Sequence, residues 1–327
     1  MRALITGGTG FLGANLAEGL LRQGWTVRIL RRKTSSLDAV KDLQVEHAIG
    51  DVLDFGSLLT AMKDVDIVFN VAAISSYWRN SAELIYRVNV DGARCVFEAA
   101  LQSGVRRVVH TSSAAAVGFI QGRPANEADP FNQPPQRFVY GHSKWLAEAV
   151  VRERVQAGQD ITVVNPAAII GPRDIHWISG SLLREAKHGH IPVIPQGGVN
   201  FVAVQDVVMG HIAAVEKGRA GERYILGGEN LTNRQTLEMA CEIAGVKMPR
   251  LTQPSWTIPI AALALDVVTA IVGPRLPLSG EQMRLTSRYI YFDSSKARRE
   301  LGLPAAHTPV RQAMQECYDW YVEHGYL

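Results

Sequence analysis

Tyr140 and Lys144 are separated by three residues in the stretch YGHSK. On a helix, residues four apart share a face, so the ammonium group of Lys144 can lie beside the phenol of Tyr140. A nearby cation favours the tyrosinate form and lowers the pKa of the phenol from its usual value of about 10. Tyr140 would then serve as a proton donor and acceptor. An exposed amphipathic helix can carry the same spacing by chance, so the rest of the chain must supply a partner for this chemistry.

A serine precedes this pair in the chain. Ser113 ends the apolar stretch RVVHTSS, which predicts a strand followed by a loop. Its hydroxyl group can hydrogen-bond the same substrate oxygen to which Tyr140 gives a proton. The three side chains together predict acid–base chemistry at a carbonyl or alcohol oxygen, for which a nicotinamide cofactor would exchange the hydride.

The first apolar stretch, RALIT, runs into the glycine-rich sequence TGGTGFLG at residues 6–13. Side chains in place of its glycines would block the approach of a pyrophosphate to the N–H groups of a helix N-terminus. The loop lies between a predicted strand and a predicted helix from about Phe11 to Gln23, which is the context that such a motif requires. We expect dinucleotide contacts from Thr6, Gly7, Gly10, Phe11, Leu12 and Gly13.

The end of the second predicted strand indicates which dinucleotide binds. In the sequence VRILRRKTSS, Arg31 stands where an acidic residue would bind the ribose hydroxyls of NAD, and Arg32 and Lys33 follow it. Guanidinium groups can donate two parallel hydrogen bonds to a 2′-phosphate. We therefore expect NADP as the cofactor, with NAD less favoured, although a solvated basic loop would look similar.

Two further stretches are expected to border the cofactor. Asp51 and Val52 in GDVLD follow a short third strand and would edge the adenine. The sequence NVAA ends the fourth strand with small residues, where the nucleotide must pass close to the backbone. Contacts in this second stretch are expected from Val71, Ala72 and Ala73.

The elements that must position these residues alternate along the chain. Strands rich in Val and Ile are separated by helical patterns, one of them near Ala82 to Ser103, which predicts parallel βαβ units covered on both faces. We expect an α/β fold, a doubly wound parallel Rossmann sheet with a smaller, mainly helical C-terminal substrate domain. The predicted dinucleotide-binding domain comprises 1–170 and 200–228, and the substrate domain comprises 171–199 and 229–327.

Composition and charge exclude other classes of protein. The 327 residues are 47% hydrophobic and 20% charged with a net charge of +3, which is typical of a globular enzyme and not of a nucleic-acid-binding surface. Cys95, Cys241 and Cys317 are far apart and predict neither a disulfide framework nor a metal site. We expect a cytoplasmic protein without a signal peptide that acts on a small molecule and binds no nucleic acid.

One apolar stretch, from Trp256 to Gly273, needs separate treatment. It contains Pro259 and Asp266 and is shorter than the roughly 20 apolar residues of a membrane span. We expect a helix of the small domain and no stable span. Contact of this helix with a membrane or with a second copy stays open.

Two loops should open above the nicotinamide, at the carboxyl ends of the strands. They carry SSYW after the fourth strand and GPRDIHW after the sixth. Aromatic residues in converging loops suit a ring or a lipid chain, although they would equally serve to pack a domain interface. The candidate substrate contacts are Ser75, Tyr77, Trp78, Arg173, His176 and Trp177.

Taken together, these motifs resemble the extended short-chain dehydrogenase/reductases. The resemblance covers nearly the whole chain and includes TGGTGFLG, GDVLD, NVDGAR, TSSAAAVG, YGHSK, NPAAIIGP and DSSKARRELG. Within the family, the chain is similar to the dihydroflavonol-4-reductase-like branch, which includes bacterial members called hopanoid-associated sugar epimerases. The resemblance implies a catalytic triad of Ser113, Tyr140 and Lys144. It also implies that Asn89 helps to order the site, that the chain forms a homodimer, and that the cofactor is contacted by Tyr140, Lys144, Asn165, Pro166 and Ala168.

Three functions remain open at this point. The first is an NADP-dependent oxidoreductase for a small, hydrophobic carbonyl or alcohol, and the second is a nucleoside-diphosphate-sugar epimerase or dehydratase that retains its NAD(P). Family members of the second kind commonly carry an arginine where this chain has Asn200 in GGVNFVAVQDVV, although Arg173 could partly replace it. The third is a non-catalytic NADP-binding sensor, against which the intact Ser113, Tyr140 and Lys144 argue.

Overall fold

Seven parallel strands form the central sheet of the computed structural model. The structure describes residues 1–75, 80–254, 256–272 and 280–327. The strands of the described chain are β1 (Arg2–Thr6), β2 (Thr26–Arg31), β3 (Glu46–Ile49), β4 (Ile67–Asn70), β5 (Arg107–Thr111), β6 (Ile161–Pro166), β7 (Ala168–Ile170), β8 (Gly198–Ala203), β9 (Arg223–Leu226), β10 (Glu229–Thr232) and β11 (Tyr289–Ile290). The order across the central sheet is β3-β2-β1-β4-β5-β6-β9, and each neighbouring pair is parallel. This order is that of a doubly wound Rossmann sheet, as the sequence predicts.

Helices cover both faces of this sheet. The helices of the described chain are α1 (Phe11–Arg22), α2 (Phe55–Ala61), α3 (Ala82–Tyr86), α4 (Gly92–Gln102), α5 (Val139–Gln156), α6 (Ser181–Lys187), α7 (Val204–Lys217), α8 (Asn233–Ala244), α9 (Thr257–Val272), α10 (Gly280–Thr286), α11 (Ser295–Leu301) and α12 (Val310–Glu323). Alternate residues of β1 point to opposite faces. Ala3 and Ile5 belong to the apolar core under α1 and α7, whereas Leu4 belongs to the core under α2, α4 and α5.

The predicted helix near Ala82 to Ser103 is interrupted in its middle. A π-helical turn at Arg87–Asp91 separates α3 from α4. The turn carries the buried side chain of Asn89, whose Oδ1 accepts a hydrogen bond from the N–H of Ile74 at 2.8 Å and whose Nδ2 donates to the carbonyl of Ile74 at 3.2 Å. Wide turns of this kind are frequent at functional sites. Here the turn places an amide side chain against the loop that follows β4.

A second, smaller sheet lies beside the first. Its order is β10-β8-β11, with β7 pairing to β8, and β8 runs antiparallel to β10 but parallel to β7 and β11. Helices α6, α8 and α12 pack on it around a third apolar core. The two-domain division stays a prediction; its bounds assign 168–170 and 200–203 to the dinucleotide-binding domain, whereas these residues belong to β7 and β8 of the small sheet.

The apolar stretch after Trp256 forms α9, a helix of 16 residues that packs against α10. This agrees with the predicted helix of the small domain. Within the described ranges, none of the helices has both the length and the apolar character that crossing a membrane requires. One side of α9 is nevertheless exposed, because Ile260, Leu263 and Val267 keep 63%, 62% and 53% of their surface accessible.

Arg173 fastens the segment after β7 to α1 and to the segment between β2 and β3. Its guanidinium group donates to both carboxylate oxygens of Asp42, at 2.8 and 2.6 Å, to Glu18 at 3.2 Å and to the carbonyl of Ala39 at 2.8 Å. The residue has a φ of 70°, a left-handed conformation that is unfavourable for a residue with a Cβ atom. The four hydrogen bonds therefore hold the backbone in a strained turn.

Replacing Arg173 with methionine removes these donors and keeps an unbranched stem. We expect Arg173→Met to lower the free energy of unfolding by about 1–3 kcal/mol, because the Ala39 carbonyl and the Asp42 carboxylate lose their partner while Glu18 keeps only Arg22. Arg22→Met is the matched control, since Arg22 pairs with the same Glu18 from an exposed position. Its effect should stay below about 0.5 kcal/mol. Denaturant unfolding of both variants measures the difference, and equal effects would contradict this account.

Candidate active site

A cavity of about 1140 Å³ opens where the strand order reverses, between β1 and β4. Its walls are formed by residues at or just after the carboxyl ends of β1, β2, β4, β5 and β6, together with residues of α5, of α10 and of the small sheet. Open α/β sheets bind their ligands at such a reversal. The glycine loop follows β1 and Ser113 follows β5, whereas Tyr140 and Lys144 reach the cavity from α5.

The glycine loop brings backbone donors to the cavity. Gly7 has a φ of 68°, and a Cβ atom on Gly13 would lie 2.3 Å from the carbonyl oxygen of Gly7, so neither position accommodates a side chain without a shift. Gly10 caps α1 and offers no side-chain acceptor, which leaves the N–H groups of the first helical turn available to a ligand. The loop therefore fits the pyrophosphate of a dinucleotide. Of the dinucleotide contacts that the sequence predicts in this loop, Gly7, Gly10, Phe11, Leu12 and Gly13 line the cavity.

Thr6 lies behind the cavity wall and acts on the neighbouring strand. Its hydroxyl donates to Oδ1 of Asn70 at 2.8 Å and accepts hydrogen bonds from the N–H groups of Val71 and Ala72, each at 3.1 Å. Val71, Ala72 and Ala73 line the cavity as predicted. Thr6 therefore positions these small residues and is not itself among the residues that line the cavity.

The part of the cavity next to β2, where the sequence predicts the adenosine, carries cations and hydroxyl groups. Arg31 and Arg32 line it together with Thr34, Ser35 and Ser36. The Arg31 guanidinium lies 3.2 Å from Nδ1 of His47, on the adjacent strand β3. Asp51 and Val52 line the opposite wall, and Oδ1 of Asp51 accepts a hydrogen bond from the N–H of Leu53 at 3.0 Å.

The structure brings Ser113, Tyr140 and Lys144 together at the inner end of the cavity. Tyr140 lies in the first turn of α5, and its hydroxyl is hydrogen-bonded to the side chain of Ser113. Lys144 lies one turn further along, is buried, and donates from Nζ to the carbonyl oxygen of Thr111 at 2.9 Å. The spacing of four residues thus has the geometry that the sequence predicts.

Burial dominates the protonation of this pair. It raises the pKa of the Tyr140 phenol, and the hydrogen bond from Ser113 opposes the shift only in part. Burial also lowers the pKa of Lys144 to about 8, while the negative charge of Glu148 acts in the other direction. The pKa of the Tyr140 phenol is therefore raised, not lowered as the spacing to Lys144 alone predicts, because loss of solvation is the largest contribution.

Two predicted asparagines support the site from outside the cavity wall. Asn89 donates from Nδ2 to the hydroxyl of Ser143 at 3.0 Å, in addition to its bonds with Ile74. Asn165 donates from Nδ2 to the carbonyl of Ser113 at 2.9 Å. Both side chains are buried and neither is among the residues that line the cavity, whereas the predicted Pro166 and Ala168 are.

Of the predicted substrate contacts, Ser75, His176 and Trp177 line the cavity. The Trp177 ring also stacks on Tyr321 of α12, with ring centroids 4.2 Å apart, so it contributes to the core of the small sheet as well. Tyr77 and Trp78 fall in 76–79, outside the described residues.

Arg173 departs from its predicted role. It is not among the cavity-lining residues, and its guanidinium group is engaged by Asp42, Glu18 and Ala39. The prediction of a substrate contact at this position is therefore not supported by the geometry. The sequence does not reveal that Arg173 is engaged, because the acidic residues that bind it lie more than a hundred residues earlier in the chain.

Sequence reasoning missed most of the apolar lining of the cavity. The side chains concerned are Leu84, Val88, Phe119, Phe138, Val199, Leu285, Ile290 and Phe292. They come from separate helices, loops and strands and follow no common motif. In the sequence, only Phe119 and Phe138 gave a signal, because these apolar residues lie close to the motifs after β5 and before α5.

Comparison with known proteins agrees with this geometry. The model of the NAD dependent epimerase/dehydratase family matches residues 3–227. A putative dihydroflavonol 4-reductase of Synechocystis sp. is 36% identical over 99% of this chain and 95% of its own length. Sterol demethylase protein B of Methylococcus capsulatus is 36% identical over 100% of both chains.

Solved structures show the same fold. The structure of gox2253 is 35% identical, covers 100% of this chain and 99% of its own, and has a TM-score of 0.87. Nucleotide-sugar epimerases and dehydratases also align over almost all of the chain, but at 19–24% identity, which shows a shared fold alone. From the family match, the two relatives and the sheet order, we conclude that the chain belongs to the NAD-dependent epimerase/dehydratase family, that is, to the extended short-chain dehydrogenase/reductases, enzymes that use NAD(P).

Proposed function

We propose that the chain is an NADP-dependent oxidoreductase that transfers hydride to or from a carbonyl or alcohol carbon of a small, hydrophobic substrate. The observation that carries this proposal is the convergence of Ser113, Tyr140 and Lys144 on the cavity that the glycine loop also borders. When bound, the nicotinamide exchanges the hydride. The protein residues hold the substrate oxygen and supply or remove its proton.

Each member of the proposed triad has a role that its contacts support. Ser113 shares a hydrogen bond with Tyr140, so a substrate oxygen between their hydroxyl groups would be oriented by both. Burial raises the pKa of Tyr140, which keeps its phenol protonated at neutral pH and ready to donate to a carbonyl oxygen. Lys144 places a cation at the same end of the cavity, in reach of a ribose. The site is therefore best prepared for carbonyl reduction.

The lining of the cavity supports a hydrophobic substrate over a sugar nucleotide. Among the described lining residues, the arginine and lysine side chains are Arg31, Arg32 and Lys144, all of them at the cofactor. Asn200 is buried, donates to Oδ1 of Asn230 at 2.7 Å and accepts from the N–H of Gly228 at 3.0 Å, so it is engaged within the small sheet. Both relatives at 36% identity are named for compounds with fused rings and no nucleotide, a dihydroflavonol and a sterol.

The preference for NADP rests on the end of β2. Arg31 and Arg32 follow the strand at the position where an acid would hold the ribose hydroxyls of NAD, and three hydroxyl side chains lie beside them on the cavity wall. A 2′-phosphate at this place would receive charge-assisted hydrogen bonds. The homodimer, by contrast, stays a prediction from the family resemblance.

The first test exchanges Tyr140 for phenylalanine. We expect Tyr140→Phe to lower kcat for NADPH-dependent ketone reduction by about 100- to 10,000-fold, because the proton donor is lost while the ring is kept. Tyr86→Phe is the control because it removes the same hydroxyl group from a tyrosine outside the cavity lining. The hydroxyl of Tyr86 contacts His142. Steady-state oxidation of NADPH measures both variants. Full activity in Tyr140→Phe would contradict the proposed role.

The second test concerns the cofactor. The variant Arg31→Ala/Arg32→Ala should lower the ratio of kcat/KM for NADPH to that for NADH by about tenfold or more, since charge-assisted hydrogen bonds contribute roughly 1.5–3 kcal/mol. Lys33→Ala is the matched control, because Lys33 is the next cation in the chain and is not among the residues lining the cavity. A ratio that stays constant in the double variant would refute the preference for NADP.

A further inference from the structure

A buried carboxylate lies beneath the proposed triad, and the triad chemistry does not account for it. Glu148 follows Lys144 by one turn of α5, and only 3% of its side chain is exposed. Its Oε1 accepts hydrogen bonds from the hydroxyl of Ser112 and from Nδ2 of Asn165, each at 2.6 Å. One oxygen therefore joins α5 to the ends of β5 and β6, the two strands that border Ser113.

Arg223, in β9, compensates the charge of this carboxylate. Its Nη1 lies 3.2 Å from Oε2 of Glu148. Its other donors bind the carbonyl of Glu127, at 2.9 and 2.6 Å, and that of Asp129, at 2.8 Å. Because the carboxylate and the guanidinium satisfy each other's buried donors and acceptors, the pair is stable away from solvent.

Two paths lead from Glu148 to the reacting groups. The first is mechanical: Nδ2 of Asn165 donates both to Glu148 and to the carbonyl of Ser113, so the carboxylate holds the amide that holds the serine backbone. The second is electrostatic: the charge of Glu148 raises the pKa of Lys144 and so limits the lowering that burial causes. The other titratable groups near this lysine are Tyr140 on the same helix and His110 on β5, and burial holds the pKa of His110 well below its usual value.

We propose that Glu148 is a positioning residue for the reaction: it orients Ser113 through Asn165 and Ser112, and its negative charge keeps Lys144 protonated beside the cofactor. The inference rests on the proposed oxidoreductase function. It differs from a purely structural role, in which Glu148 and Arg223 would only attach α5 to the sheet.

Two variants that each remove one charge of the ion pair separate these roles. Glu148→Gln keeps the shape of the side chain and removes the negative charge beside Lys144, whereas Arg223→Gln breaks the same ion pair and leaves that charge in place. We expect wild-type kcat/KM for ketone reduction to fall as the pH rises above about 8, where Lys144 loses its proton. In Glu148→Gln this fall should begin about one pH unit lower, because an opposite charge no longer favours the ammonium form.

Arg223→Gln should not move the fall to lower pH, although it breaks the same pair, since the carboxylate is then uncompensated and favours the ammonium form more strongly. Glu148→Asp, which keeps the charge on a shorter side chain, should also keep the wild-type profile on the alkaline side. If Glu148→Gln leaves the profile unchanged, or if both glutamine variants move it equally, the proposed role is overturned.

The pH dependence of NADPH affinity, followed by the fluorescence of the bound nucleotide, provides a readout that needs no turnover. If the wild type oxidises no NADPH with any ketone, the oxidoreductase proposal fails, while a lower alkaline limit for NADPH binding in Glu148→Gln still supports the role of Glu148. If Glu148→Gln does not fold, Glu148→Gln/Arg223→Gln replaces it, because removing both buried charges together leaves neither unpaired. This double variant should show the same lowered limit, and an unshifted limit would overturn the inference.

Discussion

The burial of Lys144 is the constraint on which the site depends. A buried ammonium group is costly unless other groups compensate it, and here the compensation is the carbonyl of Thr111 and the charge of Glu148. Both act from within the central sheet or its covering helix, so the position of the lysine is tied to the packing of α5. Tyr140, one turn earlier, takes its place in the cavity from the same packing.

The cavity itself follows from the topology. Reversal of the strand order between β1 and β4 leaves a crevice at the carboxyl ends of the strands. The glycine loop and Ser113 reach it from strand ends, and Tyr140 and Lys144 reach it from α5. Thr6 secures the wall after β4, and Asn165 secures Ser113 after β5. The small sheet and the helix α10 add Val199, Leu285 and Ile290 to the lining, whereas the lining arginine and lysine side chains of the described residues, Arg31, Arg32 and Lys144, come from β2, the residue after it and α5.

Local patterns predicted what is locally encoded. The strand alternation, the glycine turn at Gly7 and Gly13 and the pair Tyr140–Lys144 each depend on residues close together in the chain, and the structure shows them as expected. Groups joined over long separations escaped prediction: Arg173 pairs with Glu18, 155 residues away, and Glu148 contacts Ser112, 36 residues away. The raised pKa of Tyr140 escaped for a related reason, since burial depends on the whole fold.

The fate of the hydride tests the central claim most directly. Purified protein would be incubated with NADPH deuterated at C4 and a panel of steroid and dihydroflavonol ketones, and the products would be analysed by mass spectrometry. The account predicts alcohols with one deuterium at the carbinol carbon and an equal amount of released NADP⁺. The opposite result would be a nucleotide that stays on the folded protein through extensive washing and is identified as NAD after denaturation. If it neither exchanges with added NADPH nor gives deuterated alcohol, the account is contradicted and an epimerase is indicated.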